Sequence, residues 1–102
     1  MADKKTIVST QKTVTAAGTA EALVSDPTWV RKIYMKALAG NAGVIYLGDS
    51  TVSSSNGYEV AAGVEIDLTS LLEEAEDNFR LDEIYIDAAN NGDGVSFIYF
   101  QD

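Results

Sequence analysis

A period of two runs through most of this chain. Over residues 29–38, Ile33, Met35 and Ala37 fall on one face of an extended backbone, and Lys32, Tyr34 and Lys36 fall on the other. Residues 64–68 alternate in the same way. Side chains of a strand point alternately to opposite faces, so this pattern selects β-structure over helix. Thr6-Ile7-Val8-Ser9, Thr13-Val14-Thr15, Ala22-Leu23-Val24 and Tyr58-Glu59-Val60 read as further short strands, and residues 44–47 as a strand apolar on both faces. Turn signals stand between them at residues 40–43, at Asn56-Gly57, where both residues tolerate positive φ, and at residues 61–63. Residues 83–87 and 95–100 flank Asn90-Asn91-Gly92-Asp93-Gly94 and read as a β-hairpin with a Gly-rich loop. In its second arm Phe97 and Tyr99 share one face and Ile98 and Phe100 the other, as in a strand central to a sandwich or covered by a neighbour. Helix is expected only near residues 70–78, where Ser70-Leu71-Leu72-Glu73 has the capping-box form. About six to eight short strands with a turn signal about every ten residues predict an all-β fold, an antiparallel β-sandwich or small barrel. The expected core draws on Trp29, Ile33, Met35, Val44, Leu47, Ile66, Ile84, Ile86, Phe97 and Tyr99.

The chain of 102 residues fits one domain, with residues 1–12 as an extended N-terminal arm. Cysteine and histidine are absent, which removes thiol chemistry, disulfides, the usual neutral-pH base and the commonest metal ligand. No apolar run is long enough to span a membrane. The first residues lack the apolar segment of a secretory signal, so export by that route is not expected. Charge is unevenly spread. Residues 1–36 hold six of the seven basic residues and three acids, a net +3, whereas residues 37–102 hold thirteen acids and only Arg80, a net −12. The acidic part argues against nucleic acid as a partner, and the split suits a molecule that meets two different surroundings.

Catalytic readings are weak. Gly48-Asp49-Ser50 follows an apolar strand, as a hydrolase serine would, but there is no histidine to take its proton and no lysine after Lys36. Turn hydrogen bonding explains Asp49-Ser50 better. Residues 87–94 superficially resemble a calcium loop, yet Ala89 and Ile98 stand where such a loop needs oxygen ligands. No cofactor and no metal are expected. The acidic run Glu73, Glu74, Glu76 and Asp77 reads as a solvated face, or as a contact for a basic partner. Tyr34, between Lys32 and Lys36 on the polar face, is the aromatic least explained by core packing. It is the candidate for stacking on a sugar or anchoring an interface.

From Val30 onward, the order of elements in RKIYMKALAGNAGVIYLGDSTV, then NGYEVAAGVEIDL, then IYIDAANNGDGVSFIYF resembles small β-sandwich virion proteins of tailed bacteriophages. The shared features are strand and turn patterns, and residues 72–80 depart from them in length and acidity. The resemblance implies a non-enzymatic structural protein of the virion, first of all a capsid decoration or cement protein. Its partners would be the major capsid protein or other virion proteins, and it would form a homo-oligomer, with a trimer favoured. Lys4, Lys5, Ile7, Val8 and Lys12 are then the candidates for shell contact, through charge and apolar burial together. A tail or neck component is the first alternative, and a carbohydrate-binding β-sandwich module using exposed tyrosines is the second.

Overall fold

The computed structural model describes residues 6–67 and 79–101. The helical turn expected near residues 70–78, like Lys4, Lys5 and the acidic run at 73–77, lies outside them. The chain folds as two antiparallel sheets facing each other. Sheet A holds β1 (Thr6–Thr13), β9 (Gly94–Gln101), β3 (Trp29–Ala37) and β6 (Glu65–Asp67) in that order, with β7 (Phe79–Arg80) also paired to β3. Sheet B holds β2 (Glu21–Ala22), β8 (Tyr85–Ala88), β4 (Ile45–Gly48) and β5 (Tyr58–Val60). A 3-10 turn, Leu81–Glu83, joins β7 to β8. Residues 6–12 are not a free arm. The short strand expected at residues 6–9 is part of a longer edge strand, registered on β9 from Thr6↔Gln101 to Thr13↔Gly94, whereas Val14 and Thr15, expected in a second strand with Thr13, lie beyond its end.

The inward rows of the two sheets make the core. Ile33, Met35, Ala37, Val95, Phe97 and Tyr99 from sheet A meet Ile45, Val60, Ile86 and Ala88 from sheet B. The Phe97 and Tyr99 rings stack with centroids 6.0 Å apart. Val8, Leu47, Ile66 and Ile84 pack against this core half-buried.

Trp29 departs from the expected core and is 52% exposed, while Val30 beside it is fully buried. The cause is a bulge. Val30 faces Gln101 and Lys32 faces Phe100, so Arg31 is an extra residue that reverses the alternation upstream of it. The 83–100 unit is also not a hairpin. Its first strand, β8, lies in sheet B and its second, β9, in sheet A, so residues 89–93 cross between the layers. Residues 38–44 make the reverse crossing from β3 to β4. Gly57 does not have positive φ. It is glycine because a Cβ there would collide with Tyr46 and come within 2.9 Å of the Ser53 carbonyl oxygen.

Candidate functional site

The polar motifs sort first into those the fold uses. At one end of the sandwich three connections meet. The buried Asp93 carboxylate accepts the amides of Ala42 and Gly43, each at 2.9 Å. Asn41 exchanges two 2.9 Å hydrogen bonds with the Gly94 backbone. The Ala17 amide donates to Asn91 Oδ1 at 2.7 Å, and the Gly18 amide to Asp87 Oδ1 at 2.8 Å. Gly94 has no room for a side chain, because a Cβ would meet the Lys12 backbone. The loop that looks like a calcium site therefore directs its buried carboxylates at amides. Their job there is to satisfy part-buried backbone donors that the layer crossings would otherwise leave unpaired. Among the described residues no cluster of three acidic side chains is arranged to hold a metal ion.

At the other motif, Asp49 accepts hydrogen bonds from the Thr51 hydroxyl at 2.6 Å and the Thr51 amide at 2.9 Å. These bonds, the hydroxyl's first, hold its carboxyl below the usual range. Ser50 is exposed beside this turn.

Lys12 points between the sheets rather than outward. It faces Val95, an inward residue, and its Nζ lies 2.9 Å from Glu21 Oε1 on the edge of sheet B. Glu21 Oε2 also accepts the Thr15 and Ala16 amides. The Lys12 hydrogen bond is the main cause that lowers the Glu21 carboxyl, opposed by its partial burial. This pair closes one side of the sandwich, so much of the Lys12 charge is already balanced within the chain.

The outer face of sheet A is the surface that the fold leaves unexplained. Residues directly opposed across antiparallel strands share a face. The registers set Ile7 beside Phe100 and Lys32, Ser9 beside Ile98 and Tyr34, and Gln11 beside Ser96, Lys36 and Glu65. Ile7 is 59%, Tyr34 48% and Ile98 39% exposed, and Lys32 and Lys36 are exposed beside them. An open trough of about 760 Å³ runs across these rows, with Tyr34, Lys36, Glu65, Ser96 and Ile98 among its lining residues. The structure thus brings Ile7 and Tyr34 to one face, four strands wide, and puts Val8 and Lys12 on the other side of the same strand. Ile98 and Phe100 belong to this face with them. The sequence signal for that pair was a strand apolar on both sides.

Such a face can bury aliphatic and aromatic surface and offers two ammonium groups to acceptors around it. The sequence charge split is not a split between sheets: Lys32 and Lys36 lie on sheet A, and Glu65 of β6 stands directly opposite Lys36 on the same face. Among the described residues no helix is long and apolar enough to cross a membrane. Comparison with protein-family models, with curated proteins and with solved structures found no match.

Proposed function

We propose that this chain is a non-enzymatic structural protein of a tailed-phage particle, decorating the capsid shell through the outer face of sheet A. The observation that carries the assembly part of this reading is the exposed group of Ile7, Ile98 and Tyr34 on adjacent rows of one sheet face, with Lys32 and Lys36 beside them. Isolated exposed apolar residues are ordinary, but a contiguous group on one sheet face marks an interaction surface. The strand and turn pattern of residues 31–100 supports the phage part. Ile7 keeps its role as a shell contact in this reading, and Lys32 and Lys36 take the role first given to Lys12. Attachment then has two components. Burial of Ile98 and Tyr34 supplies the salt-resistant part. The two lysines attract an acidic shell surface, an effect screened over roughly 10 Å at 0.1 M salt.

The test adds purified protein to particles that lack it and measures occupancy across a salt series. Ile98→Asp should raise the dissociation constant read from the occupancy curve at least about tenfold at every salt concentration, a loss of some 1.4 kcal/mol or more. Lys32→Gln with Lys36→Gln should slow attachment and flatten its salt dependence. Undiminished occupancy by Ile98→Asp rejects the face, and failure of the unaltered protein to bind any virion component rejects the particle. Binding to purified tails instead of capsids would assign it to the tail or neck.

A sugar-binding reading has one observation in its favour. Tyr34 stands in an open trough among Gln11, Lys36, Glu65 and Ser96, an aromatic ring with polar groups around it, as sugar sites require. Glycan-array binding that disappears in Tyr34→Ala would select it.

A further inference from the structure

Beyond the outer face, sheet A has one long free edge. β1 is paired on one side only, with β9, and among the described residues no strand lies beyond it. The direction of its backbone groups follows from one end. The Val14 amide donates to the Asp93 carbonyl at 2.8 Å, and the Gly92 amide donates to the Val14 carbonyl at 2.8 Å. In an antiparallel ladder consecutive residues alternate between facing the partner strand and facing away. Lys12, Thr10 and Val8 therefore pair with β9, and Gln11, Ser9 and Ile7 direct their amides and carbonyls to the open side. The other half of the ladder agrees: the Leu38 amide donates to the Gly94 carbonyl at 3.0 Å, so even-numbered residues of β9 serve β3.

Protein edges of this length are usually blunted by proline, by charges or by a bulge. β1 has no proline and no acid, and its one lysine is turned inward to Glu21. We infer that the free edge of β1 pairs antiparallel with β1 of a second copy, joining two copies of sheet A about a two-fold axis. Length and charge select this occupant. The other outer strands, β2, β5, β6 and β7, are two or three residues long, so among the described elements only another β1 is long enough to pair along nearly all of this edge. A head-to-tail ring, as a trimer requires, would set β1 against one of those short edges. Charge favours the same contact. Each copy carries −9 and repels another, yet β1 carries one lysine and no acid, so the paired strands themselves set no acid against another acid. Centred on Ser9, the pairing sets Ile7 opposite Gln11 of the second copy and covers part of the exposed Ile7 side chain. It leaves Ile98, Tyr34 and Lys36 free and shares only Ile7 with the proposed shell contact.

The test measures the mass of the full chain in solution and the exchange of its amides. The unaltered protein should sediment at twice 10.9 kDa. The amides of Ile7, Ser9 and Gln11 should gain protection as protein concentration rises, whereas those of Val8 and Thr10 are protected at every concentration. Ser9→Pro removes an outward amide that β9 does not use, and should raise the dimer dissociation constant at least about tenfold while leaving the circular dichroism spectrum unchanged. A monomer at the highest soluble concentration overturns the inference. So does a dimer that persists in Ser9→Pro, because the contact then lies elsewhere. If Ser9→Pro does not fold, exchange in the unaltered chain decides: protection of Ser9 that does not depend on concentration overturns the pairing.

Discussion

Asp93 shows how a residue can look functional and be architectural. A buried carboxylate costs energy unless hydrogen bonds compensate it, and here two amides of the neighbouring crossing do so at 2.9 Å. Truncation to Ala would leave the Ala42 and Gly43 amides without this acceptor at a tightly packed corner. Asp93→Ala should therefore destabilise the fold by about 2–3 kcal/mol, read from chemical denaturation. Asp93→Asn keeps one acceptor oxygen and should lose less. An equal loss in both variants would mean that charge, not the count of acceptors, holds the corner. From the sequence, Asn90-Asn91-Gly92-Asp93-Gly94 is legible as a turn and not as a metal loop. Its partners are not legible, because Ala42 and Gly43 lie some fifty positions away and carry no polar side chain to advertise the contact.

Strand identity was legible at the level of elements because alternation is local. In β3 the burial of Ile33, Met35 and Ala37 against the exposure of Lys32, Tyr34 and Lys36 follows the sequence pattern residue by residue. Sheet membership was not legible. A Gly-rich connection between two apolar strands has the same composition whether the strands pair or cross between layers, and only the amides captured by Asp93 and Asn41 distinguish the two. The bulge at Arg31 escaped for a similar reason: one extra residue changes no composition but reverses the face of everything before it. It carries a prediction opposite to intuition about size. Val30→Ala removes fully buried methyl groups and should cost about 2 kcal/mol. Trp29→Ala, although far larger, should cost less than about 1 kcal/mol, because half of the ring already meets solvent. Both follow from thermal or denaturant unfolding. The candidate face was partly legible in the same way, through Tyr34 and the two-sided β9, whereas its assembly from four strands needed the register. At the N-terminus the structure ties residues 6–12 into sheet A, so deletion of residues 1–12 should expose the β9 edge. The outcome expected is a strongly destabilised or aggregating chain, rather than a folded domain that merely fails to attach. A cooperative unfolding transition at unchanged midpoint would show that β1 contributes nothing to the fold.

For the whole molecule, two electrostatic effects oppose each other as pH falls. Sixteen acids against seven bases give −9 at pH 7, and that excess repels itself in the compact state. Protonation on the way to the sequence pI of about 4.2 relieves this repulsion and stabilises the fold. Specific carboxylate contacts act the other way. Glu21 is lowered first by its hydrogen bond from Lys12, and Asp82 by the two-pronged contact of Arg80, Nε to Oδ1 at 3.1 Å and Nη2 to Oδ2 at 2.6 Å. A carboxyl lowered by folding adds stability that is present above its unfolded value and is lost as pH falls through its folded value. The ordinary values are 4.5 for Glu21 and 3.8 for Asp82, so these contacts persist until the solution is more acidic than that. Repulsion is therefore relieved before the contacts are lost, and the midpoint of thermal unfolding should rise from pH 7 to a maximum near pH 4.5, then fall as the solution becomes more acidic. Added salt discriminates the two causes. Exposed ion pairs contribute about 0–1 kcal/mol each and weaken in salt, but few bases are available to form them, whereas screening acts on every repelling pair of acids. At pH 7, moderate salt should raise the midpoint, and near the pH of maximum stability it should have little effect or lower it. Glu21→Gln should leave the neutral-pH salt response in place and blunt the acid-side fall. A midpoint that drops with salt at pH 7 would mean that ion pairs, not self-repulsion, dominate the electrostatics of this fold.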